Sequence, residues 1–284
     1  MMDRMPEPIV ELLREAQRIL VFTGAGISTG SGIRDFRGPK GVWKTRQPVY
    51  YEAFLSSEAA RVEYWDQKLE AWPSFRDAEP NAAHRAVAAL EEKGKLLSLV
   101  TQNIDGLHAA ASISPEKLVE IHGTNRQVQC VSCGERTDPE AHMESFAETR
   151  TPPLCPCGGY LKPATISFGQ SLRPDDLQRA SAAAGACDLV VALGSTLSVH
   201  PAASFPLAAA ERGVPYVIIN RGATDHDSHR AVTLRLEGDV VELFPPAVEA
   251  ALIVHCPPHP NDSPMRTPPG RRTSRGTTGK SVRR

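Results

Sequence analysis

The chain has 284 residues, 41% hydrophobic and 23% charged, a globular composition with enough length for one large domain and an appended smaller module. Its net charge of −1 divides unevenly: from Pro257 to Arg284 seven Lys and Arg face one Asp, leaving an acidic remainder of about −7 that argues against a nucleic-acid surface. No apolar run nears the roughly 18 residues of a membrane span, and the acid-bearing N-terminus does not resemble a signal peptide, so a cytoplasmic protein is expected.

Ile9, Leu12, Leu13 and Ala16 have the spacing of an amphipathic helix. The apolar run Ile19 to Phe22 then reads as a buried strand feeding a glycine-rich turn. Similar runs recur at Leu96 to Val100, Leu189 to Leu193 and Val217 to Ile219. Helical patterns lie between them, at Ala82 to Glu92, Asp175 to Ala186 and Ala202 to Arg212, the last stopping at Gly213. Unalternated apolar strands separated by helices predict an α/β fold, a Rossmann-like parallel sheet covered on both faces. Two stretches interrupt the alternation: Tyr50 to Trp72 reads as helical, and Gln129 to Tyr160 is loop-rich. The second also holds four cysteines in two close pairs, Cys130 with Cys133 and Cys155 with Cys157, so together they predict a smaller zinc-binding and helical module formed by insertions, residues 45–79 and 129–161. The sheet domain takes 1–44, 80–128 and 162–256. Residues 257–284, rich in Pro, Arg, Thr, Ser and Gly, are expected to be a disordered basic tail.

Three segments carry chemistry. Gly24, Gly26 and Gly30 follow the first strand, where glycines let a backbone approach a pyrophosphate and aim its N–H groups at it. Their G-x-G-x-x-x-G spacing is not that of dehydrogenases, and no acidic residue follows a second strand about 20 positions on, which speaks against hydride transfer. The competing, less favoured reading of the glycines alone is an ordinary structural turn. Gln102, Asn103, Ile104 and Asp105 follow the second strand, beyond whose carboxyl end ligands bind in such sheets; an ordinary Asn/Asp/Gly turn has the same composition. His122 precedes Gly123; imidazole suits proton transfer near neutral pH, though a lone His is more often structural. His84 and His108 read as structural.

Of six cysteines, Cys130 and Cys133 form C-x2-C, and Cys155 and Cys157 form C-x-C after 21 residues. Four thiolates around one zinc would give a closed tetrahedral structural site. The alternatives are His142 replacing one ligand, or four reduced thiols without metal.

Taken in order, Gly24 to Trp43, Thr101 to His108, Ile121 to Gly123, Thr165 to Gly169, Gly194 to Leu197 and Val217 to Asn220 resemble the sirtuins, over about Ile9 to Leu252. The resemblance implies an NAD-dependent protein-lysine deacetylase, or deacylase, that moves the acyl group to ADP-ribose and releases nicotinamide. It implies His122 as general base, with Asn103 and Asp105 lining the nicotinamide pocket. Gly24, Ala25, Gly26, Ser28, Asp35, Phe36, Arg37, Trp43, Gln102 and Ile104 would serve the dinucleotide. Gly194, Ser195, Thr196, Asn220 and Val240 would face its adenosine half, while Phe168 and Gly169 would flank the acyl-lysine. The implied co-substrate is NAD, the implied structural metal zinc, and the implied partners acylated-lysine proteins; no feature calls for more than a monomer.

Several residues depart from the sirtuin pattern. Arg34 replaces a usual Pro, the second cysteine pair is one residue short, and Ser195-Thr196 inverts the usual order. The Tyr-x-x-Arg pair that sirtuins use for acidic acyl groups is not evident, because Gln67 follows Tyr64 and Lys68 is one residue off; acetyl is therefore expected over succinyl. Two rival functions stand beside deacylation: ADP-ribosyl transfer or NAD hydrolysis on the same scaffold, and a non-catalytic binding module.

Overall fold

The computed structural model describes residues 7–35 and 47–253. Phe36, Arg37, Trp43 and the expected basic tail therefore lie outside the described residues.

Six parallel strands form the main sheet: β1 (Ile19–Thr23), β2 (Leu96–Thr101), β3 (Leu118–Glu120), β7 (Leu189–Leu193), β8 (Tyr216–Asn220) and β9 (Leu234–Glu237). Their order is β3-β2-β1-β7-β8-β9. The chain builds outward from β1 in one direction and from β7 in the other, so the strand order reverses between them. That switch point is where the loops leaving two adjacent strands part and open a crevice.

Sequence alternation explains why both faces are covered. In β1, Ile19 and Val21 enter one core and Leu20 and Phe22 the other, all fully buried. Helices α1 (Glu7–Glu15), α4 (Ala82–Glu92) and α9 (Val240–Leu252) supply the first core, and α7 (Pro174–Ala186) and α8 (Ser204–Glu211) the second. A strand with apolar residues on both sides fits nowhere else.

The second sheet is antiparallel, in the order β5-β4-β6, from β4 (Gly123–Cys130), β5 (Arg136–Thr137) and β6 (Leu161–Thr165). Its core joins Phe54, Trp65 and Trp72 to Phe146 of α6 (Glu140–Thr149) and to Leu161. The Trp65 indole N–H donates to the Leu161 carbonyl at 3.1 Å, which ties the two inserted stretches together.

Four details differ from the sequence reading. The helix expected from Tyr50 to Trp72 is two helices, α2 (Tyr51–Ser56) and α3 (Glu58–Arg76), because Ser57 is extended and its side chain accepts from Ala60 N–H as a cap. The second sheet starts at Gly123 and ends at Thr165, beyond the 129–161 expected of the inserted stretch, with Gly123 paired to Thr165 and Val128 to Pro163. Strands β3 and β9 are too short or too mixed to show a run. Helix α9, which contains Pro245 and Pro246, is absent from the helical patterns read in the sequence. Among the described residues no helix is long and apolar enough to cross a membrane.

Candidate functional site

The crevice is built by close backbone approach. After β1 the chain enters a 3-10 turn at Ala25–Ser31, while after β7 it turns at Gly194 with φ +63°. Gly24 N–H donates to Leu193 O at 3.0 Å and Gly26 N–H to Gly194 O at 2.8 Å. A Cβ on Gly26 would stand 2.7 Å from Gly194 Cα, and one on Gly194 would stand 2.4 Å from Ile27 N. The glycines are thus required by packing between two loops, whatever ligand they also serve.

One cavity of about 1240 Å³ opens from this crevice across the carboxyl ends of β1, β2, β7 and β8. It exceeds the ~300–1,000 Å³ of a single small-ligand pocket, leaving room for two reactants. Gly24, Ala25, Gly26, Asp35, Gln102, Asn103, Ile104, His122, Phe168, Gly169, Gly194, Ser195, Thr196, Asn220 and Val240 all line it. Ser28 and Asp105 do not; they line a small recess of about 10 Å³ that shares Ala25, Asn103 and Ile104 with the cavity wall.

Hydrogen bonding fixes the recess. Ser28 Oγ donates to Asp105 Oδ2 at 2.7 Å, and Leu107 N–H donates to Asp105 Oδ1 at 2.9 Å. Asn103 Nδ2 donates to Ser28 Oγ at 3.1 Å and Gly24 O at 3.2 Å. All three side chains are buried. Burial pushes the Asp105 carboxyl above its ordinary value, against the Leu107 and Ser28 donors that favour its charge. Behind the recess His84 and His108 pack with ring centroids 4.8 Å apart and their planes tilted by 59°, and His108 Nε2 meets Thr23 Oγ1 at 3.0 Å. Burial keeps both imidazoles neutral, lowering His84 to about 4 and His108 well below its usual range.

His122 follows β3 at the cavity wall. Its Nδ1 lies 3.1 Å from Gln102 O, and a carbonyl only accepts, so Nδ1 carries the proton. Nε2 is then the nitrogen able to take a proton. Just upstream, burial raises the Glu120 carboxyl to about 7 despite Arg173 nearby. Ser195 Oγ accepts from Gln102 Nε2 at 2.8 Å and Leu197 N at 3.0 Å. Asn220 Nδ2 closes its own turn onto Arg221 O and Gly222 O. Phe168 O accepts from Tyr51 N–H at 2.9 Å, and the half-exposed Phe168 ring stands 6.0 Å from Tyr50.

Sequence reasoning missed the wall opposite β2. Lys68, Asn125 and Thr165 also line the cavity, with Tyr64. They come from α3 and the second sheet, and a strand-end rule cannot find them. The traces were Tyr64 and Lys68, weighed above only as an imperfect Tyr-x-x-Arg pair, and Thr165 at the head of a family motif.

A sequence model of the Sir2 family matches residues 24–201, which hold both loops of the crevice, the recess and His122. A Bradyrhizobium diazoefficiens protein named NAD-dependent protein deacetylase 1 is 40% identical over 242 residues, 85% of this chain and 94% of its own. The chain belongs to the Sir2 family. A Haloarcula marismortui NAD-dependent protein deacetylase is 41% identical over 86% of this chain and 93% of that one. Among solved structures, a Sir2 with a deacetylated p53 peptide and 3′-O-acetyl ADP ribose superposes with a TM-score of 0.79 at 35% identity, covering 86% of this chain and 97% of that one. A Sir2 with p53 peptide and NAD+ gives 0.77 at 34% identity, with coverages of 86% and 97%.

This Sir2 chain's shortened cysteine pair closes on the first pair all the same. Cys130 Sγ lies 3.6 Å from Cys157 Sγ and Cys133 Sγ 3.7 Å from Cys155 Sγ, with all four sulfurs within 4.8 Å of one another. A tetrahedral zinc with Zn–S bonds of about 2.3 Å requires S···S edges of about 3.8 Å. The set fits one zinc, and a disulfide at about 2.05 Å is excluded. The backbone N–H groups of Cys133 and Ser132 lower the Cys130 thiol, whereas the neighbouring sulfurs raise Cys133 and Cys155, so one thiolate forms readily and the others call for a cation among them. A Cβ on Gly159 would stand 2.6 Å from Cys130 Sγ, so this close turn needs glycine.

Proposed function

We propose that the chain is an NAD-dependent protein-lysine deacylase that transfers the acyl group to ADP-ribose and releases nicotinamide. The observation that carries the reading is the shared cavity: crevice, recess edge and His122 open on one space large enough for a dinucleotide and an acyl-lysine together. The names of the relatives agree with it.

In this reading the pyrophosphate lies over Gly24, Ala25 and Gly26, with Asp35, Phe36, Arg37 and Trp43 as further dinucleotide contacts. Gly194, Ser195, Thr196, Asn220 and Val240 take the adenosine half. Nicotinamide lies against the recess wall, where Asp105 and Asn103 Oδ1 offer acceptors for the carboxamide NH2, Asn103 being oriented by the bonds from its Nδ2 to Gly24 O and Ser28 Oγ, with Ile104 flanking the ring. Phe168 and Gly169 flank the acyl-lysine, an acylated protein being the substrate. The acyl carbonyl oxygen forms a bond to C1′ of the ribose as the C1′–N bond to nicotinamide breaks. His122 Nε2 then accepts the proton of a ribose hydroxyl, whose oxygen attacks the acyl carbon. The lysine amine leaves, and water completes O-acyl-ADP-ribose. Gln102 O, by binding Nδ1–H, keeps His122 in the tautomer that can accept at Nε2. The cavity wall excludes bulk water from C1′, without which NAD would be hydrolysed instead.

The test is incubation of the zinc-loaded protein with NAD and an acetyl-lysine peptide, with products read by mass spectrometry. Deacetylated peptide, nicotinamide and O-acetyl-ADP-ribose in equal amounts are expected. Nicotinamide release that ignores the peptide would replace this reading with NAD hydrolysis.

A further inference from the structure

Arg126 of β4 lines neither the cavity nor the recess; it stands behind them. Its half-buried side chain runs over the loop that follows β2, and its Nε donates to Asp105 O at 2.7 Å. The stem lies close over Gly106, which has φ +72°: a Cβ there would stand 2.5 Å from Arg126 Cγ. At the other end of the guanidinium, Nη1 donates to Arg76 O at 3.4 Å. Arg76 is the last residue of α3, where a helix leaves carbonyls without partners of its own. One guanidinium thus joins two main-chain carbonyls from different parts of the fold, the loop after β2 in the main sheet and the inserted helix α3.

Both carbonyls belong to the recess walls or adjoin them. Asp105 lines one side of the recess, and Phe75, the neighbour of Arg76, lines another. The recess holds about 10 Å³, close to the room of a single water, so a small change in the separation of its walls changes what they can grip. The Asp105 carboxylate takes its direction from the loop that Arg126 holds. Leu107 N–H and Ser28 Oγ reach its two oxygens, and Asn125 N–H donates to the preceding carbonyl, Ile104 O, at 2.7 Å. Two consecutive residues of β4, Asn125 and Arg126, therefore hold two consecutive carbonyls of the recess loop, and only the second reaches on to α3. Burial raises the Asp105 carboxyl, and the Arg126 charge opposes that rise.

We infer that Arg126 is a positioning residue that sets the separation of Asp105 and Phe75, and with it the grip of the recess on the nicotinamide ring. This rests on the deacylase reading above and concerns how that site releases and recaptures its leaving group. The grip decides how readily the first step runs backward: the ring nitrogen of nicotinamide re-forms its bond to C1′ as the bond from C1′ to the acyl oxygen breaks, which returns NAD and acyl-lysine. Arg126 acts on this step through the two walls it joins, without touching the ligand.

The zinc-loaded full chain is given NAD, an acetyl-lysine peptide and carbon-14 nicotinamide, and the label entering NAD is measured against nicotinamide concentration. Arg126→Met keeps an apolar stem over Gly106 and removes both bonds. It is expected to raise the nicotinamide concentration for half-maximal exchange by roughly tenfold, the worth of one charge-assisted hydrogen bond, while the Kd of ADP-ribose, which lacks the ring, stays within about twofold. Arg126→Lys, whose single ammonium serves one carbonyl at a time, should shift the exchange constant the same way by a smaller factor. Neither constant depends on the fraction of folded protein, and should the methionine variant fail to fold, the lysine variant decides. An unchanged or lower half-maximal concentration, or an equal weakening of ADP-ribose, would overturn the positioning role and leave the deacylase reading standing. No exchange in the parent chain would overturn both.

Discussion

Gly194→Ala probes the junction on which the crevice depends. Two costs add. At φ +63° an alanine enters the left-handed region, worth about 1–2 kcal/mol. Its Cβ would also stand 2.4 Å from Ile27 N and 2.6 Å from Gly26 C, and both are backbone atoms that cannot rotate away. Overpacking of that kind costs about 1–3 kcal/mol. The sum, about 2–5 kcal/mol, corresponds to a fall in Tm of roughly 4–10 °C for a domain of this size. Differential scanning fluorimetry measures it, and calorimetry with NAD should show weaker binding, because the loop that must yield carries Gly24 and Gly26. Gly185→Ala is the control of opposite sign. Gly185 lies within α7 with nothing within 4 Å of a built Cβ, so alanine there should raise stability by up to about 1 kcal/mol. A Gly194→Ala protein melting within about 1 °C of the parent would refute the claim that the two loops interlock through their backbones.

Glu120 should give stability a pH slope. Its folded carboxyl is raised from 4.5 to about 7, so the folded state keeps a proton that the unfolded chain has lost. The contribution is therefore complete below about pH 4.5 and lost as pH rises through about 7, by about 3 kcal/mol in all; Glu120→Gln should flatten the melting profile between about pH 5 and 8, and parallel profiles would count against it. Metal analysis should find about one zinc per chain, and either Cys157→Ser or Gly159→Ala should reduce it, with loss of the near-ultraviolet circular dichroism of Trp65 and Trp72. His122→Ala should lower kcat about 100-fold or more while NAD affinity stays within a fewfold; unchanged turnover would remove His122 as the base.

The main sheet was legible in the sequence because a strand buried on both faces has few polar positions to blur it, as Ile19 to Phe22 show. Helix α4 was legible for a local reason: Asn81 caps its first turn and His84 returns the bond to Asn81 N–H. Other elements rest on contacts that no local pattern carries. Strand β3 has three residues and holds its place by pairing with β2. Helix α9 tolerates Pro245 and Pro246 because Phe244, Ala247 and Val248 are buried around them. The recess was half-visible: Asn103 and Asp105 stood out, but the bonds that hold them come from Ser28 and Leu107. The wall around Lys68 was invisible as a unit, because α3 and the second sheet meet there only in the folded chain.

An oxygen label tests the central claim most directly. A peptide whose acetyl-lysine carbonyl carries oxygen-18 is turned over with NAD in unlabelled water, and the O-acetyl-ADP-ribose is fragmented by mass spectrometry at early times. If the amide oxygen bonds to C1′ inside this cavity, the label appears in the ADP-ribose part and is absent from the acetyl group. Label retained in the acetyl group would mean that a ribose hydroxyl attacked the amide carbon directly while water took C1′, and the arrangement of crevice, recess and His122 described above would not be the machinery of the reaction.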